Sequence, residues 1–360
     1  MMNRNEFDQY VVDNVKQYLP PSFGSAGIEL RTVTKANDVT LTGLCIRRED
    51  EQMVPNIYLE PYFERYRDGD PIDRIVGDIA DMRIETDRSD RPYDVQKLLN
   101  YEEIKGDLQI RLCDAEQNTE RLKDLVSIPD GDYAMTFQVC MGDVSGDSFG
   151  TVAVTQALLS SWGISARQLH DDAITAEDSR TPTLNRLSDV VASMMFGADE
   201  PVNYLGTAFP LIRDGDMMNI YVLSTQDKTF GASLIAREDI LQKAATALGG
   251  NFFILPSSVH ETLLVPESSA IDVQDLITMV REVNRNEVSP QDFLSDKVQH
   301  FDKDTGVREN ALARQKRLEL EKEKRPSIHE QLAEKKAAVR AKDAAYTDVP
   351  KKTRIAEASL

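Results

Sequence analysis

The sequence predicts an α+β protein built on antiparallel strand pairs followed by helices, with a charged C-terminal tail that is helical or disordered. Segments with an apolar residue at every second position, typical of strands, are mixed with segments that repeat every three or four residues, typical of helices. The two kinds do not alternate as regularly as in a doubly wound sheet. With 360 residues, of which 41% are hydrophobic and 29% charged, the chain is long and apolar enough to form a core.

Residues 1–86 are expected to form an N-terminal α+β subdomain. Asn3 and Glu6 have the spacing of a capping box, and they predict a helix that ends before Pro20. The polar stretch 83–92 predicts a linker to the next domain.

A hairpin and a longer helix are predicted within this subdomain. Apolar and polar residues alternate at 28–31 and 39–43, on either side of an Asn37-Asp38 turn, which is typical of a β-hairpin. Apolar residues then recur on one face of the segment 72–82, which predicts a helix packed on the core.

A central domain is expected at residues 93–305, with a strand-strand-helix pattern that occurs twice. The first unit has strand-like segments at 133–141 and 149–154, and the second has them at 219–223 and 230–235. The shared Phe-Gly suggests either a duplication or two similar units that arose separately.

Other elements of the central domain are marked by their ends. Ser165 has the spacing of a helix cap, Gly249 ends a later helix, and Asp272 begins another one. Residues 251–255 form a compact apolar run, which predicts a buried strand.

The net charge of −19 is unevenly distributed along the chain. The tail, 308–360, contains 14 basic and nine acidic residues and is net +5, whereas residues 1–307 are net −24. Because this acidic body would repel a phosphate backbone, nucleic acid is an unexpected partner for it. The tail has few apolar residues, so it is expected to be solvated or to become ordered only on a partner. Docking on an acidic surface is one functional interpretation, and an unknown protein is the expected partner.

The expected location is the cytoplasm, with no membrane contact. No apolar stretch approaches the roughly 18 residues that cross a bilayer, and residues 1–16 lack the apolar core of a signal peptide. The cysteines Cys45, Cys113 and Cys140 lack C-x-x-C spacing, which predicts free thiols in a reducing compartment. No motif predicts a cofactor.

The candidate site follows the strand-like segment 251–255. Ser257, Ser258, His260 and Glu261 supply the hydroxyl, imidazole and carboxylate groups of nucleophilic catalysis. However, a catalytic serine, histidine and acid usually meet through folding rather than by adjacency, and the G-x-S-x-G elbow is absent. The four residues are therefore weak catalytic candidates.

Three interpretations of this segment stay open. A structural turn or a hydrogen-bonded core histidine is favoured, because serine and proline readily form turns. A binding role would involve Ser257, Ser258, His260 and Asn284. Catalysis is the third interpretation, and it does not extend to zinc, since Leu264 stands where H-E-x-x-H needs its second histidine.

The remaining polar features have simpler interpretations. The Gly- and Asp-rich stretch 142–150 lacks the Lys-Ser/Thr pair of a phosphate-binding loop and predicts a hairpin loop. His170, His300 and His329 are expected to be surface or capping residues, and Trp162 is expected to pack in the core.

Seven short phrases of the sequence occur together, in the same order, in a known family. They are PNIYLE at 55–60, WGIS at 162–165, YVLS at 221–224, FGA at 230–232, ILPSSVHE at 254–261, MVREVN at 279–284 and LSD at 294–296. Over residues 3–302 the chain resembles an uncharacterised bacterial family, a domain of unknown function common in anaerobic gut Gram-positive bacteria.

What this resemblance implies is limited. The family has no known activity, so it implies no catalytic residue. Its members often occur near integrative and conjugative elements, and the tail from Arg325 looks like charged extensions on proteins of such elements. The chain departs from the family pattern at 111–114 and 127–130, where that pattern has an Asn and a Pro-His, so the resemblance supports no site that relies on these positions.

Three functional hypotheses follow. The first is a cytoplasmic, non-catalytic interaction or accessory protein of a mobile element or its host, with a tail that helps to recruit a partner. The second is a hydrolase that uses His260 with Ser257 or Ser258 and the acid Glu261. The third is an acidic mimic of nucleic acid that inhibits a DNA-binding protein, which requires clustered surface carboxylates.

Overall fold

A computed structural model describes residues 1–49, 51, 54, 56–87, 95–143, 149–207, 219–269, 271–324 and 335–339. The chain divides into two compact units, Met1–Ala311 and Leu312–Leu360. In the described part of the chain, helices and strands are mixed and the strand pairs are antiparallel, which confirms the predicted α+β class.

The described part of the first 87 residues contributes one sheet and three α-helices, besides short 3₁₀ helices. In chain order these are α1 (Arg4–Asn14), β1 (Gly27–Thr34), β2 (Thr40–Arg47), β3 (Asn56–Tyr58), α2 (Glu60–Arg67) and α3 (Ile72–Asp87). The strands form a three-stranded sheet in the order β1-β2-β3. Apolar side chains of α1, α3 and the sheet enclose a separate N-terminal cluster, whose largest buried members are Phe7, Phe23, Leu44, Ile46, Leu59 and Ile75.

The predicted signals at the ends of these elements are confirmed. The Asn3 side chain accepts a hydrogen bond from the Glu6 N–H at 3.0 Å, and the Glu6 carboxylate accepts one from the Asn3 N–H at 2.9 Å. Asn37 and Asp38 adopt φ values of 59° and 52°, a left-handed conformation that asparagine and aspartate tolerate better than most residues. This turn closes the β1–β2 hairpin.

The linker predicted at 83–92 is wrong in its first half. Helix α3 continues to Asp87, and residues 88–92 lie outside the described residues. Arg83 is 2% exposed; its Nε donates to the Ile46 carbonyl at 2.9 Å and its guanidinium pairs with Glu51. From the sequence, a charged residue such as Arg83 is expected to face solvent. Here it is buried instead, because a carbonyl and a carboxylate accept the hydrogen bonds of its guanidinium.

The central part begins with small helices and a four-stranded sheet. Its first elements are α4 (Val95–Leu99), α5 (Tyr101–Ile104), β4 (Leu108–Asp114), β5 (Ser127–Asp130), β6 (Tyr133–Asp143), β7 (Phe149–Ala153), α6 (Gln156–Trp162) and α7 (Ala166–Asp178). The long strand β6 pairs along one edge with β4 and along the other with β5 and then β7.

A six-stranded sheet completes the unit. The later elements are β8 (Pro182–Arg186), α8 (Leu187–Phe196), β9 (Tyr221–Thr225), α9 (Glu238–Leu248), β10 (Phe252–Pro256), β11 (Thr262–Pro266), α10 (Val273–Glu287), β12 (Gln299–Phe301) and β13 (Arg308–Asn310). The strand order is β13-β12-β10-β11-β9-β8, with antiparallel neighbours throughout. The central cluster of buried apolar side chains joins this sheet to the four-stranded one.

The first predicted strand-strand-helix unit is present as β6, β7 and α6. In the other unit, the prediction of a second strand at 230–235 is wrong. Residues Gly231–Ala236 form a 3₁₀ helix rather than a strand. Phe230 has a φ of 51°, which turns the chain, and Gly231 then lies against backbone atoms of Thr225 and His260. A short apolar run that is buried on all sides has the same sequence signature in a helix and in a strand, so periodicity did not separate them.

Other predicted element ends are confirmed. The Ser165 and Asp272 side chains cap α7 and α10, Gly249 ends α9 in a left-handed conformation, and 252–256 is a fully buried strand. Trp162 packs against the central cluster, with its Nε1 donating to the Leu98 carbonyl at 2.9 Å.

Helix α11 (Ala311–Lys324) and a helical segment at 335–339 belong to the predicted tail. Ser327 and Glu330 have the spacing of a capping box, which predicts a second helix start in the tail, but both lie outside the described residues. None of the described helices combines the length and the apolar character needed to span a membrane.

Candidate functional site

The candidate segment 257–261 is the connection between β10 and β11. Pro256 and Thr262 are the last paired residues of the two strands, so the five residues between them close an antiparallel hairpin. The Ser258 N–H donates to the Glu261 carbonyl at 3.3 Å, and the Ser258 Oγ accepts from the His260 N–H at 3.0 Å. The segment is therefore a hydrogen-bonded turn, as its favoured interpretation expected.

The two serine hydroxyls face the carboxylate of the same turn. Ser258 Oγ donates to Glu261 Oε1 at 3.0 Å, and Ser257 Oγ lies 3.4 Å from the same oxygen. Because Ser258 also accepts from the His260 backbone, its hydroxyl is engaged in both directions.

The imidazole of His260 is engaged through both of its nitrogens. Nδ1 accepts a hydrogen bond from the Phe230 N–H at 3.2 Å, so in the neutral ring the proton lies on Nε2. Nε2 lies 3.3 Å from Asp292 Oδ1, and in this tautomer its N–H donates a hydrogen bond to that oxygen. Within the described part of the chain, no hydrogen bond joins this ring to Ser257 or Ser258. The structure thus brings the sequence-predicted residues together without forming a serine–histidine pair.

The turn also holds distant parts of the chain in place. The Val259 N–H donates to the Asp292 carbonyl at 2.8 Å, and the Ser224 hydroxyl donates to the His260 carbonyl at 2.8 Å. The His260 ring lies 5.2 Å from the Phe230 ring. These contacts connect the turn to β9, to the 3₁₀ helix that begins at Gly231, and to the loop after α10.

Asn284, the remaining candidate, lies on α10 and is 6% exposed. Its Nδ2 donates to the Ser295 carbonyl at 3.0 Å and to Asp296 Oδ1 at 2.9 Å, whereas its buried Oδ1 has no partner among the described residues. It lines a surface cavity of about 490 Å³ together with Arg281 and Arg285. Its Nδ2 also lies 3.5 Å from the Pro256 carbonyl, next to the turn, but within the described residues no hydrogen bond joins Asn284 to the serines or to His260.

Two polar side chains, one fully buried and one partly buried, were not anticipated. His300, expected at the surface, is fully buried in β12, with its ring 5.2 Å from the Phe253 ring and its Nε2 3.4 Å from Glu267 Oε2. Arg111 of β4 places its guanidinium 5.2 Å from the centre of the Phe230 ring. The only local signal at Arg111 is its place in alternation with apolar neighbours, since Phe230 is far away in the sequence.

The described residues do not bring three or more histidine, cysteine, aspartate or glutamate side chains together in a group that could hold a metal ion. The thiols are free, with Cys45 and Cys113 buried, and burial raises the pKa of Cys113 to about 11. A thiol with such a pKa stays protonated near neutral pH and is a poor nucleophile.

The model of one protein family matches residues 4–303, a stretch that includes both clusters, the turn 257–261 and Asn284. The chain belongs to the DUF5688 family. This is a family of unknown function, so membership in DUF5688 assigns no activity to the turn or to the cavity. No curated protein and no solved structure matches the chain. The DUF5688 match ends before β13, and it leaves out the whole of the predicted tail, 308–360.

Proposed function

We propose that this protein is a non-catalytic interaction protein that binds a protein partner through the exposed apolar end of α8. The observation that carries the proposal is the exposure of large apolar side chains on one helix end and the segment after it. They are Val191, Met194, Met195 and Phe196 on α8, with Val202 beyond it, and they are exposed by 41%, 73%, 71%, 78% and 58%. We call this set the α8 patch.

The α8 patch is unusual for a surface helix. An amphipathic helix turns its apolar residues towards the core, but none of the residues of α8 is buried. Contiguous exposed apolar surface costs solvation free energy, and in a folded protein it commonly marks a contact surface. Methionine suits such a surface because its flexible, polarizable side chain adapts to a partner.

Charge around the α8 patch indicates the chemistry of the partner. Asp199 and Glu200 follow the helix and are exposed, and the chain as a whole carries a net charge of −19. The partner is therefore a protein with an apolar groove and a basic rim, because an acidic groove would be repelled. In the same proposal the basic tail contributes by docking on an acidic surface.

The engagement of His260 supports a non-catalytic role. A general base needs a ring nitrogen within reach of the nucleophile's proton, and here Nδ1 faces the Phe230 N–H while Nε2 faces Asp292. The serine hydroxyls face Glu261 instead. The free thiols support a reducing compartment such as the cytoplasm. An association with a mobile element is part of the proposal on the strength of the family resemblance alone.

A partner-binding experiment tests the proposal. The full-length protein is cross-linked in native lysate, the captured protein is identified and purified, and its affinity is measured by calorimetry. We expect the Met194→Ser/Phe196→Ser variant to bind at least tenfold more weakly, about 1.4 kcal/mol. The control Leu99→Ser/Val307→Ser changes apolar residues that are 52% and 49% exposed elsewhere. It is expected to bind like the wild type.

Three results would overturn the proposal. Equal binding by the α8 variant and the wild type would remove the α8 patch from the interface. A dimer of the wild type that is lost in the α8 variant would show that a second copy is the occupant. Hydrolysis of an ester, peptide or phosphoester substrate that His260→Ala abolishes would replace the interaction role with the hydrolase.

A further inference from the structure

Two arginine side chains lie near each other in the central part, and among the described residues neither forms an ion pair with an acidic side chain. Arg111 is on β4, and Arg121 begins the 3₁₀ helix Arg121–Lys123. The tip of the β1–β2 hairpin, Ala36–Asp38, contacts both of these elements. Three separate parts of the chain therefore meet where Arg111 and Arg121 lie.

Arg111 is only partly satisfied. Its Nη2 donates to the Gln291 carbonyl at 2.8 Å, and its guanidinium lies 5.2 Å from the centre of the Phe230 ring. The Nε atom is buried and has no hydrogen-bond partner among the described residues. Burial and, to a smaller extent, the positive charge of Arg121 lower the pKa of Arg111 to about 10.

The guanidinium of Arg121 has even fewer hydrogen-bond partners than that of Arg111. Its backbone N–H donates to Asp38 Oδ1 at 2.9 Å, but within the described part of the chain its guanidinium forms no hydrogen bond or ion pair. The Nη1 atom is buried, and nothing in the described part of the chain forms a hydrogen bond with it. Burial lowers the pKa of this guanidinium as well.

The nearby acidic groups are engaged elsewhere. Asp38 accepts the backbone N–H groups of Glu120 and Arg121, and Asp292 accepts from Ser289 at 2.8 Å and faces His260 at 3.3 Å. The thiol of Cys113 adds no negative charge, because its pKa is about 11. Asp292 attracts Arg111 and Asp38 attracts Arg121 electrostatically, but within the described residues neither carboxylate forms an ion pair with a guanidinium. Two half-buried positive charges are thus only partly compensated, an arrangement that costs free energy unless a ligand compensates it further.

We propose that Arg111 and Arg121 together bind a small phosphate-type oxyanion, with the Phe230 ring forming the apolar wall of the site. A guanidinium offers paired N–H donors in a plane that matches two oxygens of a phosphate. Two such groups neutralise a dianion. Both residues keep part of their surface exposed, so a small ion reaches them from solvent. A long polyanion is excluded, because the surrounding body is strongly acidic.

Inorganic phosphate is the first probe, and glucose 6-phosphate is the second. Binding is measured by calorimetry and by thermal unfolding at constant ionic strength, with sodium chloride as the reference salt. We expect phosphate to raise the unfolding temperature of the wild type where chloride does not, since a ligand that binds only the native state stabilises it. Tighter binding of glucose 6-phosphate than of phosphate would identify a phosphate monoester as the ligand, and equal binding would identify the free ion.

Variants separate a site from a general salt effect. Arg121→Gln is expected to bind phosphate at least tenfold more weakly. In phosphate-free buffer its unfolding temperature is expected to equal or exceed that of the wild type, because an unpaired charge is removed. Arg167→Gln, at a side chain that is 91% exposed, is the control and is expected to bind like the wild type. The proposal is overturned if phosphate acts no better than chloride, if Arg121→Gln binds phosphate as the wild type does, or if this variant is strongly destabilised without phosphate.

Discussion

Lys297 places its ammonium Nζ 3.1 Å from Oδ1 of Asp114, a carboxylate with no exposed surface. The other carboxylate oxygen accepts from Ser295 Oγ at 2.6 Å, and Oδ1 also accepts the backbone N–H of Glu116 at 3.1 Å. These bonds fasten the end of β4 to the segment that leads into β12. The four-stranded and six-stranded sheets are thereby joined by polar contacts as well as by the central cluster.

We expect Asp114→Asn to lower the free energy of unfolding by about 3 kcal/mol, since it removes the buried charge that pairs with Lys297. Glu116→Gln is the matched control. Glu116 also pairs with Lys297, at 3.0 Å, but its side chain is 82% exposed, so its loss is expected to cost about 0.5 kcal/mol or less. Urea unfolding of the three proteins measures both values. Similar losses for the two variants would show that burial of Asp114 does not strengthen its pairing.

Gly231 lies where the chain leaves β9 and approaches the turn 257–261. A Cβ at this position would lie 2.6 Å from Ser224 Oγ, 2.7 Å from the His260 carbonyl oxygen and 2.7 Å from the Thr225 nitrogen. Two of these atoms belong to the backbone and cannot rotate away. We expect Gly231→Ala to cost about 2–3 kcal/mol of unfolding free energy. Gly250→Ala, where a Cβ meets nothing within 4 Å, is expected to cost much less, and chemical denaturation compares the two.

Ser258 forms more and shorter hydrogen bonds within the turn than Ser257 does. Ser258 is 7% exposed and takes part in bonds of 3.0 Å to the His260 N–H and the Glu261 carboxylate, whereas Ser257 has one longer contact of 3.4 Å. We expect Ser258→Ala to destabilise the protein by about 1–2 kcal/mol and Ser257→Ala by about 0.5 kcal/mol or less. Thermal unfolding distinguishes them. The reverse order would indicate that the hydroxyl of Ser257, not that of Ser258, stabilises the turn.

Sequence reasoning was most accurate where a signal is local. The capping box of Asn3 and Glu6 and the hairpin turn at Asn37 and Asp38 depend on a few neighbouring residues, so they were predictable. The 3₁₀ helix after Phe230 was not predictable, because tertiary packing decides the conformation of a fully buried apolar run.

The candidate turn shows the same limit. The group formed by Ser257, Ser258 and Glu261 is local and was visible in the sequence. The contacts that define His260, from Phe230 and Asp292, come from residues 30 and 32 positions away. Arg111 and Arg121 likewise lie near each other only because of how the chain packs. No spacing rule in the sequence predicts that these two positive charges come together.

Asp227 provides a test of acid stability. Burial of its carboxyl group opposes ionisation, but hydrogen bonds from Arg180 and Thr225 outweigh it and hold the pKa of Asp227 at about 2. The unfolded value is about 3.9. Since the folded-state pKa is the lower one, the carboxylate stabilises the protein fully above about pH 4. This contribution is lost as the pH falls from about 4 towards 2.

We therefore expect Asp227→Asn to lower the free energy of unfolding at pH 7 by about 1 kcal/mol. This value is smaller than the pKa difference alone implies, because the side chain is 45% exposed and solvent screens its pair with Arg180. The difference between variant and wild type should shrink as the pH falls from 4 to 2, which urea unfolding at several pH values measures. Asp199→Asn, at an exposed aspartate, makes the same change in net charge and is expected to show no such dependence. A difference that stays constant down to pH 2 would contradict the assignment of acid sensitivity to Asp227.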